Sequence, residues 1–184
     1  NQAGNTYRGG AIYFYNDSGS ICTLNLAPLA SGSGIVFFDN KGDSGNAASG
    51  LHLEAVDPVN LNVAPVAGAY VLMYDPMSAE GSGEIIITKA GEGTWSLGGV
   101  NDLSTDGGPR NLTLSEGVFH LMDAQTFGTR SLDLGNNGNL TMNNGTYMPT
   151  VGLDSGNVII SQAGAANVNI TGADLRLSGL QNLN

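Results

Sequence analysis

The sequence is built from short runs in which apolar and polar residues alternate, and glycine or asparagine interrupts almost every run. A period of two places successive side chains on opposite faces of a strand, so these runs predict strands with one buried face. No stretch carries the apolar stripe of an amphipathic helix. We therefore predict an all-β fold, with strands over residues 11–15, 21–27, 34–38, 50–55, 59–64, 69–74, 84–88, 94–97, 111–114, 118–122, 131–134, 139–142, 157–160, 167–170 and 174–177.

Glycine is abundant, yet the chain is too apolar to be a disordered linker. Of its 184 residues, 28 are glycine and 41% are hydrophobic. The glycines lack the period of collagen and fall between the apolar runs, which indicates a folded chain that turns often. We treat residues 1–184 as a single segment. Because it begins at Asn1 without a methionine, we expect it to belong to a larger protein.

The spacing of the strands fits a sandwich, a barrel or a solenoid, and two features favour the solenoid. Tight hairpin signals are few. The chain also repeats itself, because the stretch from Asn1 to Ile12 has a looser copy between Asn40 and His52. We therefore predict a parallel β-helix, with an antiparallel β-sandwich as the alternative.

The repeat predicts the size of the solenoid and the role of its small residues. A coil of three strands takes about 20–25 residues, so the repeat would span two coils and the chain would form roughly eight. Gly9 and Gly10, with Gly50 in the second copy, would turn the corners between strands, where glycine accepts a positive φ. Asparagine side chains would form ladders from coil to coil. Cys22 is expected to be a buried or half-buried core residue. Trp95, Tyr70 and Tyr74 could dock a sugar or a partner surface, although aromatic residues in such strands are more often core stacks or coil caps.

Charge is sparse and acidic, which excludes two classes of partner. The formal net charge is −10, and the 6 basic residues are scattered singly along the chain. Nucleic acids and anionic membrane surfaces both demand a clustered cationic surface, so we expect neither as a partner. No run approaches the roughly 18 apolar residues of a membrane-spanning helix, so we expect no direct membrane insertion by this segment.

The residues that could carry catalysis form no recognisable motif. The acidic residues are mostly isolated, although Asp133 and Asp174 could align on one face of neighbouring coils. His52 and His120 alternate with apolar neighbours and have no metal-ligand or triad spacing around them, so we expect both at solvent-facing strand positions. We therefore predict no enzyme and no cofactor. Residues 39–46 are rich in oxygen ligands but lack the EF-hand pattern, which leaves calcium binding there open.

Two tetrapeptides connect the chain to a known family. Gly9-Gly10-Ala11-Ile12 spells GGAI, and the stretch from Phe37 to Asn40 spells FxxN, with Phe37 and Asn40 at the two fixed positions. Both motifs occur in the repeats of polymorphic outer-membrane proteins, within the larger class of autotransporter passenger domains, and the chain resembles these repeats. Its second GGAI equivalent, at 49–53, departs from the pattern.

The resemblance implies a right-handed parallel β-helix that a C-terminal barrel, not seen in this chain, secretes to the surface of a Gram-negative bacterium. Passenger domains of this type commonly serve in adhesion, in self-association or as rigid stalks. We therefore expect a surface-exposed passenger segment that binds another copy, or a host-surface protein or glycan, through an extended face. A polysaccharide-degrading β-helix enzyme and a purely structural stalk are the alternatives.

Overall fold

The computed structural model describes residues 10–41, 49–103 and 108–121 and, beyond them, the backbone of seven short strands between 131 and 183. The described residues contain no helix, so the prediction of an all-β fold is confirmed. The strands are β1 Ile12–Asn16, β2 Cys22–Leu26, β3 Gly34–Phe37, β4 Leu51–Ala55, β5 Val59–Val63, β6 Tyr70–Met73, β7 Met77–Glu80, β8 Ile85–Lys89, β9 Thr94–Leu97, β10 Val100–Asp102, β11 Arg110–Leu114, β12 Val118–Leu121, β13 Ser131–Asp133, β14 Asn139–Met142, β15 Gly145–Pro149, β16 Gly152–Leu153, β17 Asn157–Ile160, β18 Ala166–Val168 and β19 Asn182–Leu183.

The alternation of apolar and polar residues locates most of these strands. Every predicted strand from 11–15 to 167–170 overlaps an observed one, and the prediction at 174–177 lies outside the described residues. The strands that alternation misses are β7, β10, β15, β16 and β19. Several of these are only two or three residues long, and β7 has the sequence MSAE, which lacks the β-branched and aromatic residues typical of strands.

The strands form three parallel sheets, and along most of the chain each strand pairs with the third strand after it. Sheet 1 has the order β1-β4-β7-β10-β13-β16, sheet 2 the order β2-β5-β8-β11-β14-β17-β19, and sheet 3 the order β3-β6-β9-β12-β15-β18. Every strand pair within the described ranges is parallel, so the antiparallel sandwich alternative is wrong. Three parallel sheets visited in rotation are compatible with a parallel β-helix.

The strand register corrects the expected length of the repeat. Ile12 pairs directly with Leu51, so the two copies of the repeat lie on neighbouring strands of sheet 1. We call one step from a strand to its neighbour in the same sheet a layer, so the copies lie one layer apart and not two. The next step is shorter, since Leu51 pairs with Met77. The step from Val100 to Ser131 is again longer. These steps exceed the assumed 22 residues or so, and the strands that the structure describes number six, seven and six in the three sheets.

The core consists of inward-facing residues that lie in register on successive strands. In sheet 2, Leu61 of β5 pairs with Leu24 of β2 and with Ile87 of β8, and both Leu61 and Ile87 are buried. In sheet 3, Trp95 packs on Phe119 with 4.8 Å between ring centroids, and both side chains are fully buried. Trp95 is therefore a core residue, and Cys22 lies half-buried at an inward position of β2.

Lys89 occupies an inward position of β8 that apolar residues hold in the strands on either side, Val63 and Leu114. Its side chain is fully buried, and its ammonium donates hydrogen bonds to the carbonyl oxygens of Ala90 at 2.9 Å, Gly91 at 2.7 Å and Glu116 at 3.0 Å. These three bonds satisfy all three ammonium hydrogens. Lys89 therefore links the turn after β8 to the turn after β11.

Arg110 performs the same task at the other end of sheet 2. It is almost completely buried, and its guanidinium donates to the carbonyl oxygens of Leu103 at 2.8 Å, Gly81 at 2.7 Å and Gly83 at 2.7 Å. A buried carbonyl group without a hydrogen-bond partner destabilises the fold. Lys89 and Arg110 each donate hydrogen bonds to carbonyl groups in the turns. In the sequence, Lys89 and Arg110 are two of six basic residues scattered singly along the chain, and nothing in that pattern indicates that they are buried.

The inward row of sheet 2 makes a direct prediction about stability. Replacing Leu61 by alanine deletes fully buried methyl groups between two other aliphatic side chains, so we expect a loss of about 2–5 kcal/mol. Asn62→Ala on the same strand removes only the exposed hydrogen bond to Asn25 and is expected to cost less than about 1 kcal/mol. Urea denaturation of both variants measures the difference. Equal losses would contradict the inward orientation of Leu61.

Lys89 makes a second prediction, about pH. Burial lowers the pKa of its ammonium from 10.5 to about 8, against a smaller opposing effect of the Glu116 carboxylate. Between these two values the unfolded chain holds a proton that the folded chain has released, so the free energy of unfolding rises with pH. Lys89→Met lacks this contribution. The stability of the native chain relative to this variant is therefore expected to increase by about 2–3 kcal/mol between pH 7 and pH 10.

Urea denaturation at several pH values measures this difference, and the titration of tyrosines cancels because both proteins contain the same ones. A difference that stays constant or falls with pH would show that the three carbonyl acceptors hold Lys89 in its charged form.

Candidate functional site

Ionisable and aromatic side chains gather on the outer face of sheet 1, across β1, β4 and β7. In one row Tyr13 pairs with His52, and His52 pairs with Ser78. In the next outward row Glu54 pairs with Glu80. Strand geometry brings these residues together, because neighbouring strands lie about 4.8 Å apart and alternate residues share a face.

The sequence of β4, LHLEA, explains why His52 and Glu54 point outward. Leu51, Leu53 and Ala55 are fully buried in the core, and the alternation of the strand leaves the two residues between them on the opposite face. The same rule applies one layer on, where Met77 and Ala79 are buried and leave the outward positions of β7 to polar residues.

The imidazole of His52 is held from three directions. Its Nδ1 lies 2.8 Å from the hydroxyl oxygen of Ser78, and its Nε2 lies 3.5 Å from a carboxylate oxygen of Glu80. The ring of Tyr13 stacks on it with 5.6 Å between centroids and an interplanar angle of 3°. As a result only 2% of the His52 side chain is exposed.

Two carboxylates complete the arrangement, and we call His52, Glu54 and Glu80 the histidine–glutamate cluster. The hydroxyl of Tyr13 donates a hydrogen bond to Glu54. Only 15% of the Glu80 side chain is exposed. One ligand atom from each of the three residues can be chosen so that all lie within 4.8 Å of one another. A nitrogen and two carboxylate oxygens at this spacing can hold a proton or a cation between them.

The solvent-facing positions expected for the two histidines are corrected by the structure. His52 does point away from the core, but Tyr13, Ser78 and Glu80 cover it, and alternation alone cannot reveal such a cover. His120 is half-buried, and desolvation lowers the pKa of its imidazole. Neither histidine is an open surface residue.

Ser78 and Glu80 were not found by sequence reasoning, because β7 was not recognised as a strand. The register shows the signal that could have located them. LHLE at 51–54 aligns without gaps on MSAE at 77–80, with a polar residue at the second position and glutamate at the fourth of both. Along the sequence the carboxylates are mostly isolated, whereas the structure pairs Glu54 with Glu80.

The GGAI motif does not turn a corner in the way expected. Gly9 lies outside the described residues, and neither Gly10 nor Gly50 has a positive φ. A Cβ on Gly10 would instead collide with the carbonyl oxygen of Ser49, and one on Gly50 would lie only 3.1 Å from the carbonyl oxygen of Asp75. These glycines permit a close approach of neighbouring backbones.

The rest of the two motifs supports the packing of the first layers. Ala11 is exposed, and Ile12 is half-buried and packs against the core. Phe37 is buried in the core. Asn40 donates to the carboxylate of Asp75 from its backbone nitrogen at 3.0 Å and from its side-chain nitrogen at 2.5 Å. All of these are structural roles.

Other sequence candidates contribute little to a site. Asp174 lies outside the described residues, as does most of the possible calcium-binding stretch 39–46. Within that stretch Asp39 forms an ion pair with Lys41, at 2.5 Å. Asp133 is opposite Asp102 in the pairing of β13 with β10, and its side chain is not among those described. Among the side chains that the structure describes, Asn62 donates a hydrogen bond to Asn25, which forms an asparagine ladder on a strand face of sheet 2.

A second surface feature lies on the outer side of sheet 3, where five residues form what we call the apolar face. Val36 and Phe38 are 52% and 65% exposed, and the ring of Phe38 contacts that of Tyr74 edge-on at 5.6 Å between centroids. Tyr70, also exposed, covers Gly34, where a Cβ would overlap the tyrosine ring. The members of the apolar face are Val36, Phe38, Tyr70, Leu72 and Tyr74.

Comparison with protein-family models, with curated proteins and with solved structures finds no match to this chain. The described residues include no helix that is long and apolar enough to cross a membrane. What these two surfaces can bind therefore rests on the chemistry of their own side chains.

Proposed function

We propose that the chain is a surface-exposed segment of an autotransporter passenger domain and that it associates with a second copy of itself through the apolar face. The resemblance to polymorphic outer-membrane protein repeats, at GGAI in 9–12 and FxxN in 37–40, supports the passenger assignment. On this proposal the segment is secreted and displayed outside a Gram-negative cell by a barrel that lies elsewhere in the polypeptide.

The apolar face is the observation that carries the proposal. Three of its side chains, Val36, Phe38 and Tyr70, expose large apolar surfaces beside one another on β3, β6 and the turn after β3. The outward positions of sheet 2 hold polar residues at the same level, among them Thr23, Asn25 and Asn60. A contiguous apolar and aromatic patch on a protein surface is typical of an interaction site.

The proposed fold is a right-handed parallel β-helix, in which one layer of each of the three sheets makes one coil. Strand order supports it, since β1, β2 and β3 are followed in the same three sheets by β4, β5 and β6. Right-handed connections between parallel strands are strongly preferred. Such a rod would present the apolar face along its side, where a second rod can align with it.

The acidic net charge is expected to make the proposed association depend on the salt concentration. Two copies with a formal net charge of −10 each repel one another, so contact through an apolar face must overcome this repulsion. Added salt screens the repulsion and leaves the apolar contribution in place. Association is therefore expected to strengthen between low and physiological ionic strength.

Sedimentation velocity over a range of protein concentrations tests the proposal. We expect a reversible dimer, and we expect the double variant Val36→Thr/Phe38→Ser to weaken it about tenfold or more, because exposed aromatic anchors dominate such interfaces. The matched control is Thr23→Ser/Asn25→Ser on the outer face of sheet 2, which should leave the dimer unchanged. Circular dichroism confirms that both variants fold.

Other outcomes would overturn self-association in favour of the alternatives. A chain that stays monomeric but binds host-surface proteins or a glycan array through the same face would be an adhesin. A monomer that binds neither would be a stalk.

The polysaccharide-degrading alternative also has one observation in its favour, the adjacent carboxylates of Glu54 and Glu80. Glycoside hydrolysis uses a pair of carboxylates, about 5–5.5 Å apart in retaining enzymes. If this pair is catalytic, the chain should cleave at least one member of a polysaccharide panel, and Glu80→Gln should abolish the cleavage. Reducing-end assays measure it, with Glu84→Gln as the matched control. A panel without turnover would contradict the enzymatic alternative.

A further inference from the structure

We propose that the histidine–glutamate cluster binds a divalent transition-metal ion, of which zinc is the representative. The ligands would be Nε2 of His52 and one carboxylate oxygen each of Glu54 and Glu80, with water in the remaining position. The inference is independent of the proposed function, because the cluster lies on sheet 1 and the apolar face on sheet 3.

The distances within the cluster suit a small cation. In a tetrahedral zinc site with bonds of about 2.0–2.1 Å, two ligand atoms lie about 3.3–3.4 Å apart. The separation between Nε2 of His52 and the Glu80 oxygen is 3.5 Å, close to that value. One ligand atom from each of the three residues can be chosen so that all lie within 4.8 Å of one another, and the soft terminal torsion of a glutamate side chain can bring the Glu54 oxygen closer.

The surroundings already orient the ligands as metal sites require. The hydroxyl of Ser78 engages Nδ1 of His52, which directs the opposite nitrogen towards the carboxylates. The hydroxyl of Tyr13 engages Glu54, and its ring stacks on the imidazole. Hydrogen bonds to the far side of a ligating histidine and to ligating carboxylates are the usual outer shell of a metal centre.

The two carboxylates of the cluster also favour a bound cation. Glu54 and Glu80 are register partners on neighbouring strands, and like charges directly opposite each other destabilise a sheet. Both sit beside a nearly completely buried imidazole. A divalent ion would neutralise the two carboxylates and coordinate the ring.

The donor set indicates which ions fit. An imidazole with two carboxylates suits zinc, manganese and their first-row neighbours. Calcium takes six to eight oxygen ligands, more than this cluster supplies, and magnesium keeps most of its water. We therefore expect zinc and cobalt to bind and calcium and magnesium to bind far more weakly.

Zinc titration of the full chain tests the inference. Cys22→Ser serves as the background, since it removes the single thiol, which could bind zinc by itself. Isothermal calorimetry should show one zinc ion per chain, and zinc should raise the melting temperature by several degrees. His52→Gln, Glu54→Gln and Glu80→Gln should each weaken zinc binding about tenfold or more. The two glutamate substitutions are nearly isosteric.

Two matched controls separate the site from adventitious binding. His120→Gln removes the other histidine of the chain, and Glu84→Gln removes a carboxylate that is bonded to Asn111. Both should bind zinc like the background protein. The inference would be wrong if either control variant lost saturable zinc binding, or if the cluster variants kept it.

A measurement on the Cys22→Ser background alone covers the case in which a cluster variant fails to fold. Nitrogen-15 spectra of the imidazole rings should show zinc displacing the Nε2 resonance of His52 and leaving His120 unchanged, and cobalt should give visible absorption bands of low-coordinate geometry. An unchanged His52 ring at saturating zinc, or calcium binding as tight as zinc, would show that the cluster is no transition-metal site.

Discussion

In-register pairing of parallel strands is the constraint on which the rest of this structure depends. Each residue lies about 4.8 Å from its partner in the neighbouring strand, so one layer largely dictates what the next can place at the same position. Leu24, Leu61 and Ile87 show the apolar case, in which aliphatic groups stack and exclude water. Leu61 and Ile87, which are paired in register, are both buried.

Lys89 and Arg110 show what that constraint requires when a cation falls in an inward position. Neither can reach water, and both sit at strand ends where turn carbonyl groups converge. The desolvation of an ammonium or a guanidinium is offset only by several hydrogen bonds at once. The turns supply those acceptors, so the two side chains secure successive layers to one another where the sheets themselves end.

Sequence patterns predict the strands of this fold better than its layers. Alternation depends on residues that are neighbours in the chain, and for that reason it located nearly every strand of apolar character. The distance between paired strands depends on loop lengths, which differ between the step from Ile12 to Leu51 and the step from Leu51 to Met77. No local pattern encodes those lengths, so the step from Ile12 to Leu51 was predicted to span two coils, whereas the two residues lie on neighbouring strands.

The same limit explains what was missed at the histidine–glutamate cluster. His52 and Glu54 stand two residues apart, and alternation correctly places both on the outer face of β4. Their partner Glu80 becomes visible only once β7 is aligned on β4. The burial of His52 depends in addition on Tyr13, which lies one layer away in the other direction. The outward direction of the His52 side chain could be predicted from β4 alone, whereas its burial depends on three strands in register.

Outward positions are where this architecture leaves chemistry free to vary. Most inward positions carry apolar side chains, with Lys89 and Arg110 as exceptions, and the intervening outward residues are less constrained by the core. Polar asparagine and threonine residues at outward positions of sheet 2 add little beyond solubility and one ladder. The clustering of a buried histidine with two glutamates on sheet 1, and of exposed aromatics on sheet 3, is not required by packing. Because the fold does not need either arrangement, each is a candidate for the binding proposed above.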